Sequence, residues 1–280
     1  MSMAGGYYRS VELARDAGCD CVQLFTKNNN QWRAKPITDD EAKAFRRALR
    51  RLKIKKPLSH TSYLLNLASP DKELRKKSID GLVVELARAE QLGIPYVVMH
   101  PGSYTTGTEK GGLRKIIQGL DAIHRQLADC KTKVLLETTA GQGTNLGWKF
   151  EHLAAILDGV KAPERLGVCV DTCHIFAAGY RLETAAEYAA TMRELNSTVG
   201  IKMVKAVHLN DSKRELGSRV DRHHHIGRGE MGLEPFRNLL NDRRFRHVPM
   251  YLETAKGEEK GEDLDVINLR VLRELVEEGE

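Results

Sequence analysis

The chain has 280 residues, 41% of them hydrophobic, with a formal net charge of +6 and a mean hydropathy of −0.43. No apolar run approaches the length of a bilayer-spanning helix, which excludes an integral membrane protein of the helical kind. The length suits one large α/β barrel or two ordinary domains, and the lack of any Pro- or Ser-rich linker favours a single domain over residues 1–280. The segment Met1–Ser10 has neither a basic start nor an apolar core, so no secretory signal is expected. Five cysteines, an odd and sparse count, suit a reducing cytoplasmic compartment. The basic balance permits a polyanionic partner without demanding one.

In chain order, Met1–Gly6 reads as a loop and Tyr7–Ala17 as a helix. Short apolar strands are expected at Cys21–Phe25, Pro57–His60, Tyr96–His100, Val134–Glu137, Leu166–Asp171, Val204–Leu209 and Pro249–Glu253. They are mostly apolar throughout, as in parallel strands buried on both faces. Helices separate them. Thr38-Asp-Asp-Glu41 and Thr184-Ala-Ala-Glu187 are capping boxes. Ser69-Pro70 is expected to open a long helix that Gly93 ends, and Phe150–Leu157 is a shorter helix stopped by Gly159. The run from Arg46 to Lys53 is read as the solvated side of a helix whose stripe is Phe45, Leu49 and Leu52, rather than as a nucleic-acid patch. This strand–helix alternation predicts a TIM-type (β/α)8 barrel whose first strand is missing from the chain: either the barrel is incomplete there, which would leave edge strands exposed, or the protein is expected to start upstream.

Polar residues stand at or just past the ends of six of these strands: His60, His100, Glu137, Asp171, His208 and Glu253. One histidine ending an apolar strand is ordinarily a hydrogen-bonded core residue. Six such endings would crowd carboxylates and imidazoles at one end of a barrel, at a cost that bound cations relieve. His174 follows Asp171 by three residues, at the expected strand-to-loop bend, and Asp221 and His223, two apart in an extended loop, point the same way. Those three could form a further site with an open coordination position. Cys169 and Cys173 are not expected to make a thiolate site, since nitrogen and oxygen donors already suffice. Gly141-Gln-Gly143 is too short for a dinucleotide fingerprint.

Six segments carry a family resemblance: His60-Thr-Ser-Tyr-Leu-Leu-Asn66, His100-Pro-Gly-Ser103, Glu137-Thr-Thr-Ala-Gly-Gln-Gly143, Cys169-Val-Asp-Thr-Cys-His174, His208-Leu-Asn-Asp211 and Val220-Asp-Arg-His-His224. In this order they resemble endonuclease IV, the zinc-dependent apurinic/apyrimidinic endonuclease of base excision repair. His-Pro-Gly-Ser is a weak signal alone and Val-Asp-Arg-His-His a strong one. The resemblance implies a TIM barrel with a trinuclear zinc site, manganese being admissible at one position. One ion would be held by His60, His100 and Glu137, a second by Glu137, Asp171, His208 and Glu253, and a third by His174, Asp221 and His223. Glu137 would be the catalytic bridging carboxylate. The substrate would be double-stranded DNA with abasic sites, cut 5′ to the lesion by a monomer acting on the cytoplasmic nucleoid. Tyr63 and Leu64 would fill the gap in the base stack, and Lys27, Asn30, Arg33, Arg219 and Arg222 would line the DNA path. The sequence departs from the family in lacking the strand ahead of Ala4-Gly-Gly6, in Asn30 where an arginine is usual, and in Thr61 where an aspartate is familiar. The rival reading is a divalent-metal sugar isomerase or epimerase on the same barrel. The His174, Asp221 and His223 set argues against it. A zinc-storing or DNA-binding module without catalysis is a third reading, one that would not need open coordination positions.

Overall fold

The computed structural model describes residues 1–277. These fall into two compact units, one of Met1–Glu137, Thr144–Leu146 and Ala155–Gly167, the other of Thr138–Gly143, Gly147–Ala154 and Val168 onward. Among the described residues seven parallel strands form, and none precedes the first helix. No described helix is long and apolar enough to cross a membrane.

In the first unit the parallel strands are β1 (Cys21–Leu24), β2 (Lys55–His60), β3 (Tyr96–Met99) and β4 (Lys133–Glu137). Each pairs with the next. Register fixes where the polar ends fall. Met99 lies opposite Leu136, so His100 and Glu137 leave adjacent strands at one level. The α-amino group of Met1 donates to the Gln23 carbonyl at 2.6 Å, so the start of the chain lies against β1.

The helices of this unit are α1 (Tyr7–Asp16), α2 (Asp39–Arg51), α3 (Lys72–Leu92) and α4 (Glu109–Gln126). The capping box at Thr38 is present, with Thr38 Oγ accepting from Glu41 N and Glu41 accepting from Thr38 N. α2 buries Ala42, Phe45 and Ala48 and turns its arginines outward, as an amphipathic helix should. Leu49 is only half-buried. α3 begins later than Ser69-Pro70 would suggest. The Asp71 carboxylate accepts from the N–H groups of Glu73 and Leu74, so Asp71 is the cap and Pro70 precedes it. Gly93 ends α3 in the left-handed region at φ 77°, where a side chain would be strained.

In the second unit β5 (Leu166–Asp171, of which Val168 onward belongs here), β6 (Val204–His208) and β7 (Met250–Tyr251) run parallel. Asp171 lies opposite His208, and His208 opposite Tyr251. β7 is shorter than its apolar run because the Glu253 N–H is taken by the Asn210 side chain. α5 (Phe150–Gly159) and α6 (Thr172–Ala178) follow β4 and β5, then α7 (Ala185–Thr198), α8 (Glu234–Leu240) and α9 (Leu264–Glu274). The Thr184 capping box forms as expected. A short antiparallel ladder pairs Asp211–Ser212 with His223–His224 and brings the histidine run back beside β6.

Candidate metal centre

In the first unit, His60, His100 and Glu137 converge. Glu137 is fully buried, and its Oε2 lies 3.0 Å from His60 Nε2 and 3.2 Å from His100 Nε2. His60 Nδ1 donates to the Thr61 carbonyl at 2.8 Å. That bond fixes the ring and directs Nε2 at the carboxylate. The contact uses the backbone of Thr61, so the departure at this side chain does not remove it.

In the second unit, two ligand groups adjoin. His208 Nδ1 is 3.1 Å from Glu253 Oε2 and 3.9 Å from Asp171 Oδ2. His174 Nε2 is 3.2 Å from Asp221 Oδ2, and His223 Nε2 is 3.4 Å from Asp221 Oδ1. The two Nε2 atoms of His174 and His223 face one another at 3.3 Å, and Asp171 Oδ2 lies 3.8 Å from His223 Nε2. Donor atoms of Asp171, His174 and His223 all lie within 4.8 Å of one another, as do those of His60, His100 and Glu137.

These residues fit a metal ion on chemical grounds. A carbonyl oxygen only accepts, so His174 Nδ1, 2.8 Å from the Thr138 carbonyl, carries the proton. His223 Nδ1 faces the Glu253 carbonyl at 3.5 Å in the same sense. With both outer nitrogens so engaged, at most one proton fits between the facing Nε2 atoms. What remains is electron-rich, with two imidazole lone-pair positions and carboxylate oxygens on one point. Nitrogen and oxygen donors of this kind suit zinc, and manganese is compatible with the more carboxylate-rich group. Cys169 and Cys173 are buried, and burial pushes the Cys173 thiol up to about 12.

The residues that hold the ligands are not evident in the sequence. Asn210, fully buried, donates to Asp171 Oδ2 at 2.6 Å and accepts from Glu253 N at 3.0 Å. Thr138 accepts from Asp171 N through its hydroxyl and from His174 through its carbonyl. Asp171 also caps α6, accepting from His174 N at 2.8 Å. The only sequence signal for them is that Thr138 and Asn210 follow ligand positions closely in the chain.

The residues expected along a DNA path are distributed as follows. Tyr63 is 63% exposed, with its ring edge-on to Phe25 and tilted against His60. Leu64 is half-buried beside it. Asn30 and Arg33 are exposed on the loop after β1. Lys27 is not on that surface. It is buried, donates to the Gln31 carbonyl at 2.5 Å and pairs with the buried Glu85 at 3.5 Å. It therefore braces the loop from within. Glu85 also accepts from Ser62 N at 2.9 Å, and Ser62 Oγ donates to the Asn29 carbonyl at 2.5 Å. The loops carrying Asn30 and Tyr63 are thus tied through α3. Arg88, on the same helix, donates to the carbonyls of Thr26 and Lys35. Both charges interrupt the apolar face of α3, and that interruption is a sequence signal for them. Arg222 is exposed and donates to the Asp221 carbonyl. Arg219 is exposed, and its guanidinium lies 3.8 Å over the Trp148 ring.

Residues 11–275 match a family described as xylose isomerase-like TIM barrel. A protein of Chloroflexus aurantiacus named probable endonuclease 4 is 51% identical, the alignment covering 100% of this chain and 98% of that one. Its namesake in Trichlorobacter lovleyi is 47% identical over 98% of this chain and 97% of its own length. The crystal structure of endonuclease IV from Thermus thermophilus superposes with a TM-score of 0.86 at 36% identity, covering 98% of this chain and 96% of that one. A D-psicose 3-epimerase from Clostridium cellulolyticum shares the fold alone, with a TM-score of 0.65 at 16% identity over 96% of this chain and 89% of that one.

Proposed function

Because the chain belongs to the endonuclease IV family, a TIM-barrel family of DNA-cleaving hydrolases, we propose that it hydrolyses the phosphodiester 5′ to abasic sites in double-stranded DNA. The products would be a 3′-hydroxyl and a 5′-deoxyribose phosphate. The observation that carries this reading is the convergence of Asp221, His174 and His223 beside Asp171, a ligand group beyond what a one-ion sugar enzyme needs.

His60, His100 and Glu137 would hold one ion, with Glu137 shared with a second ion that Asp171, His208 and Glu253 complete. His174, Asp221 and His223 would hold a third. Bound ions would supply Lewis acidity toward the phosphate oxygens and the leaving 3′-oxygen and would lower the pKa of attacking water. The protein's part is orientation. Carbonyl-anchored imidazoles keep their donor nitrogens inward, and Asn210 holds Asp171 and the backbone of Glu253 together. Tyr63 and Leu64 enter the stack where the base is missing, and an unstacked sugar costs least at an abasic site. Asn30 is shorter than an arginine, so Arg33 and Tyr63 carry more of the wedge. Arg33, Arg219 and Arg222 contact phosphates and set position rather than sequence. The enzyme works as a monomer in the cytoplasm, where its DNA is.

The test is incubation of the zinc-loaded protein with a duplex bearing one abasic analogue, and in parallel with ketoses. Incision 5′ to the lesion with an extendable 3′-hydroxyl is expected, with ketoses unchanged. Epimerised ketose together with intact DNA would overturn the reading.

A further inference from the structure

Asp221 and His223 sit on a loop that is partly open to solvent, their side chains 37% and 18% exposed. The ladder with Asp211–Ser212 and the Lys213 N–H on the Arg222 carbonyl hold its later part, and further contacts outside the ligand cluster hold the stretch before it. Asp221 N donates to Gln142 Oε1 at 3.1 Å. Two residues earlier, the Arg219 guanidinium stacks on Trp148 at 3.8 Å, with the Arg219 N–H on the Ala177 carbonyl at 2.9 Å. Arg219 sits at φ 54°, a left-handed conformation that is costly for a residue with a side chain. Such a backbone persists where its surroundings hold it. Trp148 is itself fixed. A Cβ on Gly141, at φ 79°, would meet Trp148 Cγ at 2.8 Å, so only glycine lets the indole pack there. The indole ring lies nearly perpendicular to that of His152, with the centroids 5.8 Å apart.

We propose that Trp148 and Gln142 are positioning residues for the cation site of His174, Asp221 and His223, with Arg219 the latch that transmits the position of the indole to the ligand loop. The stack fixes the chain at 219 and the amide contact fixes it at 221, which sets the direction of the Asp221 side chain toward His174 and toward His223, whose own backbone the ladder to Ser212 holds. Arg219 thereby takes a task beyond phosphate contact. The inference rests on the trinuclear reading above, and its test is chosen to separate the two.

The apoprotein is titrated with zinc chloride against a chelating colorimetric indicator, without DNA. Wild type, Trp148→Leu, Trp148→Phe and Gln142→Ala are compared. In Trp148→Leu and Gln142→Ala one of three ions should bind about tenfold more weakly, the scale on which residues behind metal ligands act, with the other two unchanged. Trp148→Phe should keep that ion within about threefold of wild type, because a phenyl face still receives the guanidinium. In a Trp32→Phe background, emission from Trp148 should change as that one equivalent fills. If both Trp148→Leu and Gln142→Ala keep the wild-type zinc profile, or weaken all ions equally, the inference is wrong and the trinuclear reading stands. A Trp148→Phe variant as weak as Trp148→Leu would likewise remove the stacking argument. Wild-type protein that never takes a third ion would overturn both.

Discussion

One oxygen of Glu137 faces two imidazole nitrogens while the side chain is fully buried, and on the proposed reading this carboxylate is the bridging group. Glu137→Gln keeps the shape and removes the charge. Single-turnover incision by this variant should fall at least about a hundredfold while affinity for abasic duplex is largely kept. Incision near the wild-type rate would show that Glu137 is not the bridging group. His124 offers a test remote from the ligands. It lies buried on α4, with Nδ1 unpartnered, and Arg165 donates to its backbone carbonyl. Burial, aided by the Arg165 charge, lowers its pKa to about 4. A histidine depressed in the folded state contributes stability that is complete above its unfolded value of about 6.5 and is lost as pH falls toward the folded value. Unfolding free energy should therefore decline between those limits, and His124→Phe should flatten that decline relative to wild type. An unchanged pH slope in the variant would refute the assignment.

At the level of elements, caps and loop braces contribute differently. The Thr38 box satisfies donors at the start of α2 with an exposed pair far from the ligands, so its effect is on stability alone. Thr38→Ala should cost about 1 kcal/mol in denaturant unfolding, with zinc content unchanged. A loss of zinc in that variant would contradict the separation of cap and site. The same contrast explains what can be read from sequence. Capping boxes and strand ends are local patterns, and Thr38, Thr184, His60, Glu137 and Asp171 fall where those patterns put them. The start of α3 differs from expectation because Ser69, Pro70 and Asp71 are all good cap-region residues, and only geometry shows which side chain reaches the first-turn N–H groups. Lys27 reads as a surface cation in the sequence because its buried partner Glu85 lies far along the chain. Trp148 under Arg219 is hidden for the same reason. Sequence order identifies ligands more readily than it identifies what holds them.

For the molecule as a whole, the fold does not select the reaction, since one barrel architecture hosts many chemistries. What distinguishes this chain is the number and kind of donors gathered at strand ends. That gathering has a thermodynamic consequence. Within the first unit the buried Glu137 meets His60, and within the second the buried Asp171 meets His208, and each such crowding of carboxylate and imidazole opposes folding unless a cation relieves it. Ions that bind the folded chain and not the unfolded one stabilise it by mass action, by about 4 kcal/mol for each held at a thousandfold excess over its dissociation constant. Elemental analysis after gel filtration should find close to three ions per chain, mainly zinc, by the donor set. Stripping with a chelator should then lower the melting temperature by at least about ten degrees, the shift expected in a chain of this size for the loss of even one such ion. Readdition of zinc should restore it. A count near one would reduce the site to a single-ion centre. A full count with no change in melting on chelation would mean that the ligand groups are stable without cations, and the electrostatic argument for the site would fail.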